Sequence, residues 1–225
     1  MDEILEKLKR GVRNFQTEVY PQQAEVFAQA ASEPQRPHTL FITCADSRVD
    51  PVAITSSQTG EVFVTRNIGN MVPAFGEMLG GVSAVVEFAV SFLKVRHIVI
   101  CGHTHCGAMH ALLKPEIVAN MPIVKAWLEN AHAALDTAQA LQAYPTAIKT
   151  EEHMIDVLTE QNVLLQMRHL KTHPSVAHAM AADELTISGW VYCIRTGEIC
   201  VAEDGEQTFT PIGMDVPTGS SSNNP

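Results

Sequence analysis

Gly81-Val82-Ser83-Ala84-Val85-Val86-Glu87-Phe88-Ala89-Val90-Ser91-Phe92-Leu93, followed after three residues by His97-Ile98-Val99-Ile100-Cys101-Gly102, decides the fold of this chain. The first run is apolar almost all round and long enough for a buried helix. The second is a short β-branched run closed by glycine, which reads as a buried strand. Two similar runs lie upstream. Thr39-Leu40-Phe41-Ile42-Thr43 is bounded by Pro37 and the Asp46-Ser47 turn, and Glu61-Val62-Phe63-Val64-Thr65 follows Gly60. Strand, helix, strand with near-continuous apolar strands predicts right-handed crossovers and a parallel sheet. Downstream, residues 122–142 and 151–171 read as helices. Leu185 to Ile194 and Glu198 to Ala202 read as a hairpin around Thr196-Gly197, at a sheet edge. Upstream, Ile4, Leu5, Leu8, Val12 and Phe15 form one helical stripe, and Pro21 opens a second short helix, Gln22 to Ala31. The stripe predicts packing on the main body or on a second subunit. The expected architecture is α/β: a mostly parallel central sheet of about four parallel strands plus an antiparallel edge strand, flanked by helices, with an N-terminal helical arm.

The 225 residues, 46% hydrophobic and 18% charged, suffice for one large domain with a substantial core. Residues 1–210 read as that domain, with 1–34 as the arm. From Pro211 the composition turns to Pro, Gly, Ser and Asn, which predicts a disordered tail over 211–225. A net charge of -10 opposes nucleic acid and anionic membrane surfaces as partners. It does not oppose a small anionic ligand, because a local pocket can carry the other sign. No run is long and apolar enough to span a bilayer, and the N-terminus lacks a secretion pattern. Five cysteines, an odd number in a chain too large to need stapling, predict a reducing, cytoplasmic setting where thiols bind metal or do chemistry.

Three segments follow the three strands: Cys44-Ala45-Asp46-Ser47-Arg48, Arg66-Asn67-Ile68-Gly69-Asn70 and Gly102-His103-Thr104-His105-Cys106-Gly107. In an open parallel sheet the carboxyl ends of the strands carry the ligand site. Cys44, His103 and Cys106 offer two thiolates and an imidazole, a donor set that suits zinc, and three protein ligands leave the fourth tetrahedral position of a catalytic ion open. Taken singly, each reads equally well as a buried thiol or a capping histidine; the pattern argues for the metal. Asp46 beside Cys44 has two options: to close the metal site as a ligand, or to be held by Arg48 and accept a hydrogen bond from metal-bound water. Neighbouring His105 diverges from His103 and is not expected to ligate. His132, His153, His169 and His173 read as surface residues, and Gly80-Gly81 as either a close helix approach or a helix start.

Cys44-Ala45-Asp46-Ser47-Arg48 with Gly102-His103-Thr104-His105-Cys106-Gly107 resembles the β-class carbonic anhydrases. Arg66-Asn67, Gly80-Gly81 and Ser188-Gly189-Trp190-Val191-Tyr192 fall where that family has them. The resemblance spans about residues 4 to 205. It implies reversible hydration of carbon dioxide to bicarbonate by zinc-bound hydroxide, with one zinc ion per subunit held by Cys44, His103 and Cys106. It assigns Asp46 and Arg48 to catalysis and implies a homodimer that often assembles further, into a tetramer or octamer, with N-terminal helices lying across the neighbour. Of the family's two active-site patterns, the water-bearing one is favoured, because Phe41 stands where the other pattern has tryptophan. That pattern implies a substrate pocket of Gln35, Phe63, Ile68, Phe88 and Gly107. A carbonyl sulfide or carbon disulfide hydrolase on the same scaffold is the alternative.

Overall fold

The computed structural model describes residues 2–77, 80–142 and 150–213. Six strands form one sheet: β1 Thr39–Cys44, β2 Val62–Asn67, β3 His97–His103, β4 Thr186–Tyr192, β5 Ile199–Glu203 and β6 Thr210–Pro211. Their spatial order is β2-β1-β3-β4-β5-β6. The first four are parallel, and β5 and β6 add antiparallel at one edge. This is the expected α/β architecture. The register sets Cys44 opposite Asn67 and Thr43 opposite Cys101, so the carboxyl ends of β1, β2 and β3 lie side by side.

The central strands are buried on both faces, as their unbroken apolar runs require. Leu40, Ile42, Ile98 and Ile100 join one core with Val163, Met167 and Leu170 of the helix Glu151–Lys171. Phe41, Val99 and Cys101 face the other way, and Phe41 meets Trp190 edge-on at 5.8 Å. Each of these large side chains contributes about 1.5–3 kcal/mol through burial. Thr150 caps the long helix by accepting the N–H of His153, and Arg168, His169 and Lys171 complement its carboxyl end. Two glycines seat this helix on the sheet. A Cβ on Gly102 would lie 2.8 Å from Val163 Cγ2, and one on Gly189 would lie 2.6 Å from Val163 Cγ1. Around Gly80 and Gly81 there is open space, so that pair only starts the helix Gly81–Glu87.

Several expectations change. The run from Gly81 to Leu93 is not buried all round: Glu87 ends the α-helix, a π-helical turn follows, and Phe88 and Phe92 are 42% and 70% exposed. The N-terminal stripe does not pack on the body, for Ile4 is 71% and Leu8 64% exposed. The arm closes on itself through Tyr20 stacked on Phe27 at 4.9 Å, with Phe15 edge-on to both. Pairing continues past the expected start of the tail, because Pro211 lies opposite Cys200 and the Ile212 N–H donates to the Ile199 carbonyl. Residues 214–225 lie outside the described residues. His173 is buried rather than superficial and His169 is half-buried; each ring reaches a carbonyl of the loop after β2, at Pro73 and Val72. A helix pattern cannot show that a polar side chain turns inward to a loop 97–100 residues away in sequence.

Candidate active site

Cys44 ends β1, His103 ends β3, and Cys106 stands just before the helix Gly107–Leu113. Their ligand atoms all lie within 4.8 Å of one another, the one such histidine, cysteine and carboxylate group among the described residues. The two sulfurs are 4.0 Å apart. That is too far for a disulfide and near the ~3.8 Å expected of two sulfurs ~2.3 Å from one tetrahedral ion. His103 is fully buried. Its Nδ1 lies 2.9 Å from the Thr104 carbonyl, which can only accept, so the proton sits on Nδ1. Nε2 is then a bare lone pair, and no hydrogen-bond partner reaches it. A buried, unpartnered nitrogen costs free energy unless something binds it. Facing two sulfurs, it fits a soft-to-borderline divalent metal.

The two sulfurs are pushed in opposite directions. Hydrogen bonding from the Cys106 side chain, with smaller contributions from the backbone at Gly69 and Asp46, holds the Cys44 thiol well below its ordinary range, against the opposing effect of burial. Hydrogen bonding to Cys44, burial and the Cys44 charge push Cys106 up, although the N–H groups of Met109 and Ala108 point at its sulfur. A bound divalent ion would take both sulfurs as thiolates, so metal binding would release protons.

Asp46 Oδ2 stands 3.9 Å from His103 Nε2. Arg48 holds the carboxylate with two parallel bonds, 2.9 Å from Nε to Oδ1 and 2.7 Å from a terminal nitrogen to Oδ2. That hydrogen bonding keeps the carboxyl ionised far below the usual carboxylate range. The carboxylate is thus an acceptor fixed beside the metal position, at the end of a fork that leaves it little freedom to swing.

The sequence model of the carbonic anhydrase family matches residues 39–199. A carbonic anhydrase of Synechococcus elongatus is 42% identical over 87% of this chain and 70% of its own length. The chain belongs to the β-class carbonic anhydrases. The solved β-carbonic anhydrase CcaA superposes with a TM-score of 0.87 and 33% identity, covering 95% of this chain and 94% of that one. One of two tetrameric β-carbonic anhydrases from Sordaria macrospora superposes with a TM-score of 0.76 and 29% identity, over 92% of this chain and 99% of that one. The β-class uses zinc, and Cys44, His103 and Cys106 are the residues here that fit it.

In this β-class chain the other expected residues divide into two groups. Ile68 and Gly107 adjoin the ligands, Ile68 directly after β2 and Gly107 directly after Cys106. Gln35, Phe63 and Phe88 do not. Phe63 pairs with Leu40, four residues before Cys44 and so about 13 Å from the strand end. Phe88 stands against Phe63 with ring centroids 6.0 Å apart. Gln35 precedes β1 and lines a groove with Arg36, His38, Gln58 and Glu61, at the opposite edge of the sheet. Their sequence offset from Cys44 carries no information about which site they face.

Several contacts at the site were not legible in the sequence. Arg66 donates to the carbonyls of Cys44 and Asp46, at 3.1 and 2.6 Å, and so shapes the loop that carries both. Arg48 also donates to the His105 carbonyl at 3.1 Å, tying the first loop to the third. His105 adopts φ +55 and turns its ring outward to Glu152, which agrees with its exclusion as a ligand. Trp127, Asn162 and Gln166 hold the loop after β2. The one available signal was the placement of Asn162 and Gln166 on either side of the apolar run Val163-Leu164-Leu165, where an unpaired amide would be costly.

Proposed function

We propose that this protein catalyses the reversible hydration of carbon dioxide to bicarbonate and a proton, with one zinc ion per subunit. The observation that carries the reading is the bare Nε2 of buried His103, facing two sulfurs, with the Arg48-held carboxylate of Asp46 3.9 Å away. Bound zinc supplies Lewis acidity, bringing the pKa of water it holds to about 7. The protein supplies the rest. The Asp46 carboxylate, ionised and with no proton to give, accepts a hydrogen bond from the attacking water and so orients its lone pair toward carbon dioxide. Arg48 keeps that carboxylate in place and, through His105, keeps the loops of β1 and β3 in register. Ile68 offers an apolar contact suited to a nonpolar substrate.

Gln35, Phe63 and Phe88, distant from the ligands of their own chain, serve the site of a second copy. The exposed stripe of the arm and exposed Phe92 provide apolar surface for the homodimer this requires, and the tetrameric relative supports further assembly. Five free thiols, two of them metal ligands, suit a cytoplasmic location. Nothing favours carbonyl sulfide or carbon disulfide as substrate.

The test is stopped-flow carbon dioxide hydration on zinc-loaded wild type and Asp46→Asn. We expect the variant to keep stoichiometric zinc and to lose about 100-fold or more in kcat/KM. Zinc-loaded wild type without hydration activity would refute the function; an active Asp46→Asn would refute the role of the carboxylate.

A further inference from the structure

The helix Glu151–Lys171 turns two amide side chains, Asn162 and Gln166, toward the loop after β2, and both are fully buried. Their hydrogen bonds form a directional ladder. The Asn162 amide nitrogen donates to the Gly69 carbonyl at 3.0 Å, and its oxygen accepts from Gln166 at 2.8 Å. The Gln166 nitrogen also donates to the Asn130 carbonyl at 3.1 Å, while its oxygen accepts the Val72 N–H at 2.8 Å. Reversing either amide would break the series, so the two side chains grip Gly69 and Val72 in one orientation.

Gly69 needs such a grip. Its φ of +76 lies in the left-handed region, and a Cβ there would come 2.9 Å from Met71 Cε and 3.0 Å from Ala108 Cβ. It is wedged between its own loop and the helix after Cys106. Its loop runs on from Asn67, which lies opposite Cys44 in the sheet, and Ala108 against it stands two residues after Cys106. The Ile68 carbonyl beside it accepts from Trp127 Nε1 at 2.8 Å. One face of the long helix is pressed against Gly102, next to His103, through Thr159 and Val163. One element therefore touches both the strand that carries the imidazole and the loop that lies beside Cys44.

We infer that Asn162 and Gln166 are positioning residues for the metal centre: they lock Gly69 against Ala108, and so hold the loop beside Cys44 and the helix that follows Cys106 in place. This rests on the reading of Cys44, His103 and Cys106 as the metal ligands. Groups that orient a metal's ligands typically change its affinity by about 10–100-fold when lost.

The test uses the full chain loaded with cobalt(II), whose sulfur-to-metal charge-transfer band reports on the thiolates, together with zinc competition against a chromophoric chelator. Asn162→Leu keeps the branched shape of the side chain and removes the bond to Gly69. We expect a shifted band and zinc affinity lowered about tenfold or more. Gln166→Met removes the orienting partner and moves both readouts the same way by less. Leu170→Ala, in the core at the far end of the same helix, lowers the melting temperature and leaves band and affinity unchanged. Wild-type band and affinity in both amide variants would overturn the inference, as would a Leu170→Ala band shifted as far as theirs. A wild-type chain that binds cobalt without a thiolate band would instead overturn the ligand assignment.

Discussion

Arg48 grips Asp46 side-on, donating from Nε to one carboxylate oxygen at 2.9 Å and from a terminal nitrogen to the other at 2.7 Å. The pair spans only two residues, yet its free edge reaches the His105 carbonyl on another loop. Lysine is a point donor and cannot reproduce this fork. Arg48→Lys is therefore expected to lower kcat/KM for hydration about 100-fold through misplacement of the carboxylate, with zinc content unchanged. The pH dependence gives a second check. Asp46 is held below its unfolded value by Arg48, so its contribution to stability is present above about pH 4 and is lost as pH falls further. In metal-free protein, urea unfolding at pH 5 and pH 3.5 should show a smaller loss for Arg48→Ala than for wild type. Equal losses would mean the pair does not hold in solution.

The metal should also be a stabiliser. A ligand bound only by the folded state at a thousandfold over its Kd contributes about 4 kcal/mol. Chelation is expected to lower the melting temperature by several degrees, and readdition of zinc to restore it. Cys106→Ser should abolish both the stoichiometric zinc and the response to chelator. A melting curve indifferent to chelator would argue that no metal is held.

Gly102 adjoins His103 and faces the long helix. In Gly102→Ala the new methyl would stand 2.8 Å from Val163 Cγ2 and 3.0 Å from Thr159 Cγ2. Both neighbours are short branched side chains with little room to yield, so overpacking is expected to cost about 1–3 kcal/mol. Urea denaturation measures this. An unchanged midpoint would show that the helix can back away from the sheet.

His97 supplies a pH-dependent term at the other end of β3. Trp190 Nε1 donates to Ser188 Oγ at 3.0 Å, which leaves the serine proton for His97 Nε2 at 2.8 Å, while His97 Nδ1 donates to Thr186 at 2.6 Å. The ring is thus bound as the neutral tautomer. Burial lowers its pKa, and nearby His38 adds to this against the opposing charge of Glu203. A depressed histidine pKa means that the unfolded chain takes up the proton first. Stability is expected to be full above about pH 6.5 and to fall below it. His97→Gln should show a shallower decline in melting temperature from pH 7 to 5.5, and an identical slope would contradict the bound neutral tautomer.

Chemistry that depends on neighbours in sequence was legible without coordinates. Cys44, Asp46 and Arg48 lie within five residues, and His103 and Cys106 within four, at the ends of runs whose β-branched composition marks buried strands. Legibility failed where a side chain's partner is remote. His169 and His173 read as surface residues on a helix pattern, but their rings reach carbonyls of Val72 and Pro73. Gly80-Gly81 drew attention as a doublet, whereas the close approach is at Gly102 and Gly189, single glycines inside strands.

What the amino-acid order determined alone was the parallel sheet, the edge of it that carries the site, and the donor set, because side-chain period, strand composition and ligand chemistry are local properties. Which donors converge, and around what, was decided only by the tertiary structure. Strand register brings Cys44 and His103 together, the Thr104 carbonyl fixes the tautomer that leaves Nε2 bare, and the distance along β1 and β2 removes Phe63 from the site of its own chain. Each of these depends on contacts between segments far apart in the chain, and their geometry exists only once the core has packed.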